Sequence, residues 1–213
     1  MTLFRTIVAD PPWPMAWRGG GMLRKNGEGR VYRNAVALHR ALPYPTMSID
    51  DIAALRVSDV AQKNAVLFLW APDVFIIDGS AARVARAWGF KPQRLFVWRK
   101  RGFGMGTFPR PQHEAAIYAR RGSLSARRRD LGSVQEFKLV YERRGKSAAR
   151  KHSAKPPDFL AMVETVFDGP YLELFARVPR IGWTSYGDEV VGGRAIADRL
   201  EGDRLTRQEG LQP

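Results

Sequence analysis

Four consecutive residues, Asp10-Pro11-Pro12-Trp13, set a carboxylate, two prolines and an indole at the end of an apolar run. Each proline fixes φ and removes a backbone donor. What remains is a set of acceptors, the Asp10 carboxylate and the neighbouring proline carbonyls. Such a set suits a group with two N–H donors, an –NH2, and Trp13 adds a flat wall for a planar ring. The motif reads as a clamp for an aromatic amine, such as a nucleobase with an exocyclic amino group. That amine is a weak nucleophile, because its lone pair is delocalised into the ring. Hydrogen bonds from both N–H groups favour a pyramidal nitrogen and stabilise the positive charge that develops on attack. The rest is alignment with an electrophilic carbon. A target base must leave its stack, or lie in a single strand, to reach the clamp. The same four residues also suit a plain proline turn with a core tryptophan and a surface aspartate. Alone they do not separate the two readings.

The elements that must hold this clamp follow from periodicity. Residues 4–10 read as a buried strand, as do 64–72, 93–100, 114–122 and 171–177, and "VQEFKLVYE" is a further candidate. Helices are expected over 48–55, with Ser48 as N-cap, over 74–90, ending near Gly89, and over 156–167, entered through prolines. Residues 182–191 read as a turn and a short segment. Strands that alternate with helices and are apolar throughout argue for an α/β fold with a mainly parallel sheet covered on both faces. Ligands in such sheets bind beyond the carboxyl ends of strands, where Asp10 falls. Two segments, 14–45 and 123–153, are basic and poorly periodic and read as mobile loops. One domain is expected over 1–191, with a polar tail over 192–213.

Lys and Arg number 35 against 21 Asp and Glu, a net charge of +14. That balance favours a polyanionic partner, most often nucleic acid. No cysteine is present, so disulfides and thiolate metal sites are excluded. His39, His113 and His152 lack metal-ligand spacing, and no metal is expected. "GFGMG" (102–106) leads into a proline-rich turn rather than a helix, and "GKS" (145–147) lacks the upstream glycine of a phosphate loop. No signal peptide or membrane span is read, and a cytoplasmic protein is expected.

The order of further landmarks carries a resemblance. They are "ADPPW" (9–13), "YPTMSIDDI" (44–52), "LFLWAP" (67–72), "AWGF" (87–90), "FVWRK" (96–100), "HEAAIYARRG" (113–122), "HSAKP" (152–156), "LELFAR" (172–177) and "GWTSYGDE" (182–189). In this order they resemble the S-adenosylmethionine-dependent N6-adenine methyltransferases typified by the catalytic subunit of the messenger-RNA adenosine methyltransferase, a family with bacterial and phage members. The resemblance spans residue 5 to about 190. It implies a Rossmann-like class I methyltransferase fold in circularly permuted order, with the catalytic strand early and the cofactor strand late. It further implies that Asp10, Pro11, Pro12 and Trp13 hold the target amine beside the methyl group, and that Tyr44 helps bind the base or the cofactor tail. By the same resemblance, Lys155 pairs with the carboxylate of the cofactor and Arg177 contacts its ribose region. Asp188 and Glu189 stand where the family carries an amide pair against ribose and adenine. Glu173 and Phe175, on the same strand, are cofactor-side candidates. The acidic segment and zinc finger expected upstream in the messenger-RNA enzyme have no counterpart in this sequence.

The two basic segments flank the catalytic motif and Lys155. Arg127, Arg128, Arg129, Arg143, Arg144 and Lys146, with Arg150 and Lys151, are candidates to follow a phosphate backbone. Similarity to the compact bacterial and phage members favours DNA over RNA. A non-catalytic binding subunit is disfavoured because the Asp and the aromatic of the motif are intact. Methylation of cytosine N4 or of a glutamine amide is disfavoured because those enzymes commonly begin the motif with Ser or Asn. A monomer and a homodimer both fit the sequence.

Overall fold

The computed structural model describes residues 3–15, 23–25, 31–33, 45–102, 108–137, 141–144, 147–150 and 155–187, together with 190, 196, 198 and 200. β1 (Phe4–Ala9) lies near the centre of a sheet in which β4 (Ala61–Ala71) flanks it on one side and β10 (Tyr171–Leu174) on the other. β11 (Trp183–Tyr186) closes the β10 side; β6 (His113–Arg121), β5 (Lys91–Arg99) and β7 (Val134–Glu136) extend the β4 side. The order is β11-β10-β1-β4-β6-β5-β7. All neighbours pair parallel except β6, which runs antiparallel to both β4 and β5. The expected mainly parallel α/β sheet is therefore present, with one reversed strand.

Alternation along the strands sorts the core into two faces. Ile7, Leu67, Leu69, Ile117 and Leu172 meet α1 (Ile49–Ala54), α3 (Asp73–Ile77) and α4 (Ser80–Ala87) through Ile52, Phe75, Val84 and Ala85. Val8, Val66, Phe68, Trp70, Phe96 and Trp98 meet α5 (Pro157–Val166) through Phe159 and Val163. Phe159 is fully buried and packs against the rings of Phe68, Trp70 and Phe96. Burial of that side chain contributes about 2–3 kcal/mol. Both faces of β4 are covered from Ala65 onward, which is why residues 65–71 are apolar throughout rather than alternating.

Local chemistry sets the helix ends. Ser48 Oγ accepts the Asp51 backbone N–H at 3.0 Å, the cap its position suggested. The single helix expected over 74–90 is two. Gly79 takes φ +82°, and the Asp78 carboxylate accepts the Ser80 N–H at 2.8 Å, so the Asp-Gly-Ser step ends α3 and starts α4. Apolar periodicity runs across this step unbroken and hides it. α2 (Val57–Val60) is a single turn leading into β4, which begins three residues before the expected start.

The basic segments are not without order. β2 (Leu23–Lys25) pairs antiparallel with β3 (Val31–Arg33) inside 14–45, and β8 (Tyr141–Arg144) pairs antiparallel with β9 (Ser147–Arg150) inside 123–153. Three- and four-residue strands rich in Arg carry too little alternation to announce themselves.

Candidate active site

Asp10 follows β1 directly, so the sheet delivers its carboxylate to the carboxyl edge. Its backbone N–H reaches the Leu174 carbonyl at 3.4 Å, which ties the motif to the end of β10. The next residues fold back on themselves. Trp13 N–H donates to the Pro11 carbonyl and Met47 N–H to the Pro12 carbonyl, each at 2.9 Å. Each carbonyl oxygen keeps a second lone pair.

Trp13 corrects one expectation. It is only 4% exposed, its ring stacks on Phe75 at 5.1 Å, and its indole N–H donates to the Trp70 carbonyl at 2.8 Å. The stacking surface expected for a base is covered. The indole instead anchors the Asp-Pro-Pro turn to β4 and α3.

Lys155 reaches the site from the residue before Pro156 and Pro157, which open α5. Its Nζ lies 2.7 Å from Asp10 Oδ2 and 3.3 Å from Glu114 Oε2, and 5.3 Å above the ring of Trp70. Glu114 also pairs with Lys100, whose ammonium lies 4.7 Å over Trp98. Four charges therefore alternate, Asp10, Lys155, Glu114 and Lys100, each mostly buried. Burial lifts the Asp10 carboxyl above its usual value even though the Lys155 ammonium opposes it, and the nearby Glu114 adds to the rise. Burial also opposes the charges of Lys155 and Glu114, but there the paired charges win. Lys155 is held above the usual lysine value and Glu114 below the usual carboxylate value.

Beside these groups lies a cavity of about 660 Å³, bounded by Asp10, Trp70, Lys155, Glu173, Arg177 and the α5 residues Phe159 and Leu160. Glu173 pairs in register with Val8 and Ser185 and faces the α5 side. Burial, with the Asp10 charge, pushes its carboxyl up to about 7, against the pull of Arg180. Phe175 has φ +64°, a strained conformation for a side chain of that size, and it turns the chain from β10 into the cavity rim. The rim is fastened to α5: Arg180 donates to both oxygens of Glu164 at 2.8 and 2.9 Å, and Trp183 Nε1 donates to Glu164 at 2.6 Å. Trp70 Nε1 is buried and finds no partner among the described residues.

Of the residues expected from the sequence, Asp10, Lys155, Glu173, Phe175 and Arg177 converge on this cavity. Tyr44, Lys146, Lys151, Asp188 and Glu189 lie outside the described residues. Arg143 and Arg144 sit on β8 and Arg150 on β9. Arg127 pairs with Asp168 at 2.9 Å, and Arg128 with Asp130 at 2.6 Å, so two of the three consecutive arginines are engaged within the chain. Glu114, Lys100, Glu164 and Arg180 were missed. Glu114 reaches the site because a reversed strand begins where its parallel neighbours end, and it stands near the start of β6 opposite Trp98. Among the described residues no cluster of His, Cys, Asp or Glu is placed to hold a metal ion, and no helix is long and apolar enough to cross a membrane.

A mostly parallel seven-stranded sheet, helices on both faces and an acidic site at the carboxyl end of β1 fit the Rossmann-like methyltransferase class. The chain belongs to the MT-A70 family, whose profile matches residues 4–189. It is similar to the type II methyltransferase M.MunI of a Mycoplasma species, with 26% identity over 195 residues, covering 88% of this chain and 78% of that protein. It is also similar to a putative N(6)-adenosine-methyltransferase MT-A70-like of Medicago truncatula and an N(6)-adenosine-methyltransferase MT-A70-like of Arabidopsis thaliana. Each is 26% identical over 212 residues and covers 92% of this chain. The chain spans 28% and 25% of those two plant proteins.

Proposed function

We propose that the chain transfers a methyl group from S-adenosylmethionine to the N6 amine of adenine in a nucleic acid, with DNA as the preferred polymer. The observation that carries this reading is Asp10 at the edge of a cavity that also presents Lys155, Glu173 and Arg177. The cavity volume lies in the range of small-molecule sites. The lining fits the cofactor: Glu173 offers a carboxylate for ribose hydroxyls with Arg177 beside it, and Trp70 a buried indole N–H without a partner among the described residues, while Lys155 is taken by Asp10 and Glu114. When bound, the cofactor supplies an electrophilic methyl on a sulfonium.

The chain's own residues do the rest. Asp10 and the second lone pair of the Pro11 carbonyl accept the two N6 hydrogens and direct the nitrogen lone pair along the line of attack. Transfer would leave the S–CH3 bonding pair on the donor and a positive charge on the N6 nitrogen that Asp10 and Pro11 hold. The nitrogen then sheds one proton, and Asp10, whose affinity for a proton burial raises, is the adjacent acceptor. Trp13 keeps the turn in register from behind. The long match to a type II methyltransferase supports DNA.

The test is label transfer from S-adenosylmethionine to matched DNA and RNA oligonucleotides, single- and double-stranded. Asp10→Ala should lower transfer by at least about 100-fold while leaving cofactor affinity within about threefold. A near-normal rate in that variant overturns the mechanism, and preferential labelling of RNA overturns the choice of polymer.

A further inference from the structure

We propose that Glu114 is the receiving group of a lysine hand-off: Lys155 occupies Asp10 before the substrate amine binds and moves onto Glu114 when the amine takes its place. The inference rests on the reading of Asp10 as the group that orients the amine. It starts from a conflict. One oxygen of the Asp10 carboxylate, Oδ2, already holds Lys155 at 2.7 Å. An incoming neutral N–H must compete there with an ammonium, and a charged hydrogen bond is the stronger one. The competition is won only if the ammonium has a second anion at hand.

Glu114 is that anion. Its Oε2 already stands within ion-pair range of Lys155 Nζ at 3.3 Å, so an ammonium that swings away from Asp10 tightens onto a partner it has begun to hold. Lys100 pairs with Oε1 of the same carboxylate and lies against Trp98, which holds the receiving group in place. Pro156 and Pro157 stiffen the backbone after Lys155, so the movement belongs to the lysine side chain. The four charges sum to zero, and the hand-off brings no net charge into the buried site. Arg177 and Glu173 are the other charged groups acting on Asp10, and neither is displaced. Glu114 is a positioning residue: it acts through Lys155.

The test uses Glu114→Gln, which keeps the shape and removes the charge, in the full chain and in a cycle with Lys155→Gln. Glu114→Gln is expected to lower kcat at least about tenfold and raise KM for the oligonucleotide, with cofactor affinity within about threefold. In the Lys155→Gln background the same change should cost less than about threefold, because the competitor is gone. An equal cost in both backgrounds overturns the proposal. A second readout needs no turnover. The carboxyl carbon of Asp10, assigned by its loss in Asp10→Asn, is followed by NMR while a single-stranded adenine oligonucleotide and S-adenosylhomocysteine are added. The resonance should move in the native chain and stay in Glu114→Gln. The same response in both chains overturns the hand-off. An unmoved Asp10 resonance together with absence of label transfer by the native chain would instead overturn the substrate reading, whereas label transfer with that resonance unmoved overturns the hand-off. Lys100→Met, which leaves Glu114 and Lys155 in place, should reproduce a smaller loss of kcat and guards against a folding defect in Glu114→Gln.

Discussion

Glu173 carries a pH dependence whose sign can be worked out. Burial and the Asp10 charge hold its carboxyl at about 7, against 4.5 for an exposed glutamate. A raised acid resists ionisation in the folded chain. Its contribution to stability is complete below 4.5 and is lost as pH rises through about 7. The difference corresponds to about 3–4 kcal/mol. Glu173→Gln removes that cost, so the variant should melt about 7–14 °C above the native chain at pH 8 and close to it at pH 5. Equal shifts at both pH values would show that packing, not ionisation, is responsible. Glu173 gains its acceptor character over the same interval. The proposed cofactor affinity should therefore strengthen from pH 6 to pH 8 in the native chain and stay flat in Glu173→Gln, as read by calorimetry.

The segment after β10 is held by a few contacts. Phe175 turns at φ +64°, and Glu164 on α5 grips Arg180 and Trp183. The bidentate Arg180, through its hydrogen bonds, keeps Glu164 below the usual carboxylate range. That contribution is present above 4.5 and is lost as pH falls through the lower folded value. Glu164 is partly exposed, so the pair is worth only about 1 kcal/mol. Glu164→Ala should therefore lower stability modestly yet weaken binding of S-adenosylhomocysteine about tenfold, because the cavity rim loses its fastening. Unchanged binding would free the rim from any role. Elements differ in how openly the sequence states them. β1, β4 and α5 are legible because burial on both sides, or a proline at the first helical turn, leaves a local mark. The α3–α4 break is not, because one glycine interrupts a periodicity that continues past it. Asp10 is legible because its chemistry is packed into four consecutive residues. Glu114 is not, because its proximity to Asp10 depends on β6 running backwards, which no window of sequence records.

Over the whole molecule, a net charge of +14 favours a polyanion, but the folded chain decides which cations are available to one. Arg127 is held by Asp168 and by the Phe167 carbonyl, and Arg128 by both oxygens of Asp130 at 3.0 and 2.6 Å. Both are engaged by contacts within the chain, whereas Arg129, the residue after them, is exposed. Each phosphate neutralised steepens the salt dependence of binding by about 0.9 on a log–log plot for duplex DNA. Arg129→Ala should lower that slope by about one and weaken binding without sequence preference. Arg127→Ala should instead show as a lower melting temperature with little change in slope. Asp130→Asn separates the fold from the field most directly. It releases Arg128 and removes a negative charge beside the basic run, so binding should tighten and the slope should steepen. Fluorescence anisotropy with a labelled oligonucleotide across 50–200 mM salt reads all three. If Asp130→Asn leaves the slope unchanged, this face does not meet the backbone, and the basic strands β8 and β9 become the surface to mutate.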